Sequence, residues 1–220
     1  MSSPHRLSTP RAAGLAGVLF AILFAASIIL IHGALPEGAA PGSQWLEAGN
    51  LRLRIASLLM PFAGISFLWF IGGVRDGLGN YEDRFFATVF FGSGLLFLAM
   101  VFSASAIGAG LAASGHLIDA PGGQNDVAAF GQMEVLSLTK TYAVRMAAVF
   151  MISLATIWLK TKLMPRWLVY TTYASAVGLL LSSDLSMWIA LVFPFWVLLV
   201  SVLALVRSGV IDLHHDDGVT

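Results

Sequence analysis

The chain contains no cysteine, which excludes disulfides, thiolate metal sites and cysteine nucleophiles together. Charge is scarce too. Only 11% of the residues are Asp, Glu, Lys or Arg, against roughly 25% in soluble domains. Neither sign dominates, with 12 basic and 12 acidic residues, so no surface for nucleic acid is implied. No stretch is as basic as a voltage sensor requires. Among the long apolar runs histidine is confined to an edge, at His32, and no run has a lysine at its centre. A buried histidine pair for haem and a lysine for a retinal Schiff base are therefore not expected, and the serine of Gly92-Ser93-Gly94 lacks a histidine base within its run.

What the chain does have is apolar length: 58% of its 220 residues are hydrophobic, and the charges leave long intervals between them. Lipid is the expected solvent. The first run, Ala12 to Ile31, is long enough to cross a bilayer. Its rival reading is a cleaved leader, because Ala39 and Ala40 follow at a cleavage distance. A span is expected, since the run exceeds the roughly 7–15 residues of a leader's apolar core. After a Gly/Pro-rich connection, the second run covers Ile55 to Gly73 with Pro61 inside, where a lost backbone donor predicts a kink. A mixed-charge turn follows, with Arg75, Asp76, Glu82, Asp83 and Arg84.

The third run stays uncharged from Phe85 to His116, so as one helix it tilts or projects beyond the membrane. Ala99/Ser103 and Ala106/Gly110/Ser114 give small-xxx-small spacings that predict close helix packing. Gly108, Gly110 and Ala113 also fit a relaxed nucleotide-binding pattern, but no strand precedes them, so packing explains them better. Asn125 or Asp126 is expected to cap a helix that starts outside the bilayer and becomes the fourth span. The fifth run starts at Trp167, after a basic turn of Lys160, Lys162, Pro165 and Arg166, and a short turn holding Asp184 leads to the sixth, with Pro194 inside it.

These runs predict an all-α fold: a polytopic membrane bundle of six transmembrane helices, at about 12–31, 55–73, 85–113, 141–160, 167–183 and 186–206, forming one integral membrane domain over residues 1–220. The far end of the third helix and the extension before the fourth are expected to form a small extracytoplasmic cap. No convincing repeat relates the two halves, so an inverted-repeat transporter is not indicated. With six spans, Arg6, Arg11, Arg75, Arg84, Lys160, Lys162, Arg166 and Arg207 fall on the side of the termini, and Arg52, Arg54, Lys140 and Arg145 on the other. By the positive-inside rule both termini are cytoplasmic.

The stretch around Arg145 carries the most chemistry. From Met146 to Leu159 no residue is charged, and that length rises only about 21 Å, short of a hydrocarbon core of about 30 Å. Arg145 or Lys160 is thus drawn toward the bilayer edge. Glu134, Ser137, Thr141, Arg145, Ala148, Ile152 and Thr156 recur at spacings of three and four, which is one α-helical face. Ionisable groups inside spans tend to mark pathways or ligand sites. An arginine near the outer interface suits a lipid phosphate or a carboxylate. The plainer reading is that Arg145 snorkels to water or pairs with Glu134 or Asp184. Arg54 reads first as an interfacial anchor and second as a partner of Arg145 in holding one anion. Asp184 reads first as a helix cap and second as a proton or cation site.

Metal chemistry is weak. His116 and Asp119 are too few for a zinc site, and His214-His215-Asp216-Asp217 sits in a tail with no scaffold. Arg11-Ala12-Ala13-Gly14-Leu15, Arg54-Ile55-Ala56-Ser57 and Met164-Pro165-Arg166-Trp167-Leu168 open or precede spans. In these motifs and in its layout, the chain resembles a broad group of uncharacterised bacterial membrane proteins with about six spans. That resemblance implies an all-helical fold in the bacterial inner membrane and supplies no catalytic residues. The expected function is non-catalytic, with no cofactor and no metal: binding a lipid or small amphipathic anion at the outer side, or acting as a membrane accessory subunit. Arg54, Glu134, Thr141, Arg145 and Asp184 are the candidate ligand-binding residues. The expected partners are membrane lipids and a second membrane protein or copy of the chain. The alternative is a small transporter or channel, motivated by Pro61, Pro194 and the polar stripe.

Overall fold

The computed structural model describes residues 9–35, 50–78, 84–114, 123–182 and 186–207. Its elements are α1 (Thr9–Ala34), α2 (Asn50–Leu78), α3 (Arg84–Ser114), α4 (Gly123–Leu136), a π segment (Ser137–Ala143), α5 (Val144–Thr161), α6 (Arg166–Ser182), a 3-10 segment (Met187–Leu191) and α7 (Val192–Arg207). No strand occurs among the described residues. The helices are apolar on nearly every side, which suits a lipid solvent and not a water-facing surface. Leu15 and Ile22 of α1, Leu58 and Phe62 of α2, Leu96 of α3 and Phe195 of α7 all point outward. Water would not tolerate so continuous an apolar exterior on a folded monomer. Lipid does.

Five helical stretches are long and apolar enough to cross a membrane: Arg11–Ala34, Leu51–Leu78, Phe85–Ala113, Asp126–Thr161 and Trp188–Arg207. The chain is thus a multi-pass, all-helical membrane protein. The fifth expected span is α6, whose 17 residues rise only about 25 Å.

In the bundle, α1 packs between α2 and α7, α2 against α3, α3 against α5, and α5 against α6, while α7 also touches α5 and α6. The start of α1 and the ends of α2, α5 and α7 share one face, called terminal here; the end of α1, the start of α2, the π segment and the 3-10 segment share the distal face. Rings from five helices fill the space between. Phe67 of α2 has its ring centroid 4.6 Å from Phe20 of α1, 5.4 Å from Phe97 of α3, 5.3 Å from Phe150 of α5 and 5.6 Å from Phe193 of α7. Many of these contacts are tilted or edge-on, as ring quadrupoles prefer.

Close approach of α1 to α7 depends on Gly17. A Cβ there would overlap Ser201 Oγ and stand 2.7 Å from the Phe70 ring. Ser201 is fully buried and its hydroxyl has no hydrogen-bond partner among the described residues. Gly131 of α4 is packed just as tightly on Leu111 of α3. The far end of α3 and α4 therefore pack directly on each other.

Two sequence expectations need revision. The small residues Ala99, Ser103, Ala106 and Gly110 face outward, whereas α3 buries Ala104, Ser105, Leu111 and Ala112. The fourth span is not a continuous α-helix, because the π segment interrupts it. Pro194 lies inside the last apolar stretch, Trp188–Arg207, as its place in the sequence predicts. It falls in the first turn of α7, directly after the 3-10 segment. There the change of hydrogen-bond pattern tolerates a missing donor. By contrast, α2 runs through Pro61 as one helix.

Candidate functional site

The distal face gathers the irregular backbone. The π segment and the 3-10 segment, which belong to different spans, pack on each other. Such departures from α geometry at membrane depth are tolerated where neighbouring protein buries them, and π turns are frequent at functional sites. In the π segment the N–H of Val144 reaches the carbonyl of Thr139, five residues back. Each such turn holds one residue more than an α turn, so an insertion of this kind rotates everything beyond it by ~100°. The single α-helical face drawn through Glu134, Thr141 and Arg145 is therefore broken between its acid and its base.

Arg145 is half-buried in the first turn of α5, and its Nη1 donates to the Thr141 carbonyl at 3.3 Å, at the long end for a hydrogen bond. Helical side chains lean toward the N-terminus, which directs this guanidinium to the distal face. Glu134 and Thr141 are both half-buried, in the last turn of α4 and in the π segment. Thr156, on the same expected stripe, is structural: its hydroxyl donates to Ile152 O at 2.8 Å and meets Tyr173 OH at 2.7 Å, tying α5 to α6. Asp184 lies outside the described residues.

Arg54 is exposed on α2. The base that engages the fold is its near neighbour, Arg52, whose Nη1 donates to the Gly33 carbonyl at 2.7 Å. That contact satisfies a carbonyl in the last turn of α1 and places a cation at the negative end of its dipole. One residue earlier, the His32 ring packs on Trp188 of the 3-10 segment, with centroids 4.4 Å apart. Its Nδ1 is buried and has no hydrogen-bond partner among the described residues. Sequence reasoning missed Arg52, His32 and Trp188 as one assembly. Nothing in their spacing signals it, because they come from three helices.

The terminal face has different chemistry. A recess of about 330 Å³ opens among α1, α2, α7 and the turn after α5. Its lining is almost entirely apolar except for Arg207 at the end of α7. Arg207 Nη1 donates to the Leu163 carbonyl and to Met164 Sδ, the latter at 3.4 Å. The turn is further shaped by Lys162, which has φ 56° and donates its N–H to Trp158 O at 2.9 Å, a left-handed helix cap filled here without glycine. Nearby cations cover aromatic rings: Lys160 Nζ is 4.6 Å from the Phe86 centroid, and the Arg75 guanidinium 5.6 Å from that of Phe91. None of Arg54, Glu134, Thr141 or Arg145 lines this recess.

No group of three or more potential metal ligands occurs among the described residues. No protein-family model, curated protein or solved structure matches the chain.

Proposed function

We propose that this membrane protein binds an anionic lipid or a small amphipathic anion at its distal face, without catalysing a reaction. The observation that carries this reading is the packing of the π segment, which leads directly into the half-buried Arg145, against the 3-10 segment of another span. In this reading Arg145 holds the anion, Thr141 supplies polar backbone and side-chain groups beside it, and Glu134 and Asp184 set the orientation. Arg54, exposed at the same face, attracts the anion over longer range. The protein sits in a bacterial inner membrane with six crossings and cytoplasmic termini. The distal face is then extracytoplasmic, as the balance of basic residues implies.

Native mass spectrometry of protein extracted gently from its membrane tests the reading. A retained anionic lipid or metabolite, lost in Arg145→Gln, is the expected result; unchanged retention in a folded Arg145→Gln protein sinks it. The outward stripe of Ala99, Ser103, Ala106 and Gly110 favours an accessory role through helix contact with a second membrane chain. The same spectrum reports that as an added chain mass. A channel is less well supported, because the rings around Phe67 fill the bundle between its two faces.

A further inference from the structure

The terminal-face recess supports a second site, independent of the distal one. Its volume of about 330 Å³ is at the small end of ligand pockets, which run ~300–1,000 Å³. Its walls include Gly14, Val74, Gly77, Leu163 and Ala204, and Arg207 is exposed at its rim. The two contacts of Nη1 hold that guanidinium in place. A guanidinium has five N–H donors. The three on Nε and Nη2 make no hydrogen bond or ion pair among the described residues.

We infer that this recess holds one acyl chain of an anionic phospholipid, drawn from the leaflet at the terminal face, with its phosphate on the outward donors of Arg207. A chain moving from bilayer to apolar recess gains little, because lipid is already as apolar as the protein wall. Selection therefore resides in the headgroup. Guanidinium matches phosphate oxygens bidentately, while the choline of a zwitterionic lipid offsets that attraction with its own positive charge. One basic side chain near the surface gives roughly a fivefold preference for the anionic lipid.

The experiment uses the full chain carrying Arg145→Gln, which removes the distal anion contact, beside the native chain, in nanodiscs of equal parts phosphatidylglycerol and phosphatidylcholine, read by native mass spectrometry. In the Arg145→Gln chain one retained lipid is expected, phosphatidylglycerol over phosphatidylcholine by roughly fivefold. Adding Arg207→Gln should bring that ratio to about one. Gly77→Leu should remove the retained lipid with Tm unchanged, because Gly77 lines the recess and a Cβ there meets no atom within 4 Å. Equal retention of both lipids by the native chain, or a preference in the Arg145→Gln chain that survives the added Arg207→Gln, overturns the proposal. A preference lost in Arg145→Gln instead places the lipid at the distal face; it overturns this site and supports the other. Should either terminal-face variant fail to fold, phosphatidylglycerol with a photoreactive chain end decides on the native protein. Adducts at Val74, Leu163 or Ala204 support the recess, and adducts confined elsewhere overturn it.

Discussion

The indole N–H of Trp196 donates to Thr172 Oγ1 at 2.8 Å, in a contact buried between α7 and α6. In hydrocarbon no water replaces a lost partner, so such a pair anchors two helices by direction as well as by contact. Thr172→Val should destabilise the protein by about 1–2 kcal/mol, because the indole donor is then buried and unpaired. Trp196→Phe in the same background should recover part of that loss. Denaturant unfolding in detergent measures both, and equal stability of Thr172→Val and the native chain would deny the contact an energetic role. Residue-scale roles of this kind were only half legible in the sequence. The level of Arg52 and Arg54 near the start of a helix could be read from charge and spacing. Which of the two bonds to the neighbouring helix could not, since residues two apart on a helix lie about 200° from each other and the position of that helix chooses between them.

At the scale of the element, the π segment decides how α4 is aimed relative to α5. The face of α4 carrying Ala128, Gln132 and Val135 is buried, and Gly131 lies on Leu111 of α3. Deleting Leu138 should convert the π segment to regular α-helix and rotate α4 by ~100° about the shared axis. Because the chain has no cysteine, a single Val135→Cys reports the change. Val135 is 1% exposed, so maleimide labelling should be slow in the native frame and fast in the deletion. Slow labelling in both would mean that α4 keeps its orientation without the π segment. The interruption was illegible beforehand because Ser137 to Ala143 suits regular helix as well as π geometry. What stabilises the wider turn is packing on α3, on its flanking helices and on the 3-10 segment, and those partners are distant in sequence.

For the whole molecule, the aromatic core has to hold the bundle together without help from the hydrophobic effect, since unfolded spans remain in lipid. Packing supplies the difference. Phe67→Ala removes contacts to rings on α1, α3, α5 and α7 at once. It should cost about 2 kcal/mol, below the ~3–5 kcal/mol of soluble cores because the transfer contribution is absent. Denaturation in detergent should show this loss to exceed that of Phe195→Ala, whose ring faces outward. Equal losses would mean that the central cluster is not what holds the five helices.

The sequence by itself determined the apolar solvent and the helical class. Those properties are sums over consecutive residues, and a run from Ala12 to Ile31 is apolar whatever surrounds it. It also implied that Arg145, Lys160 or both are drawn toward a bilayer edge, because the interval between them is too short to span. Tertiary structure alone decided azimuth and register. It selected Arg52 over Arg54, set the π turn between Glu134 and Arg145, turned the small face of α3 outward and left a recess beside Arg207. Each of these depends on which helices become neighbours, and helix order around a bundle is not encoded in the periodicity of any one segment.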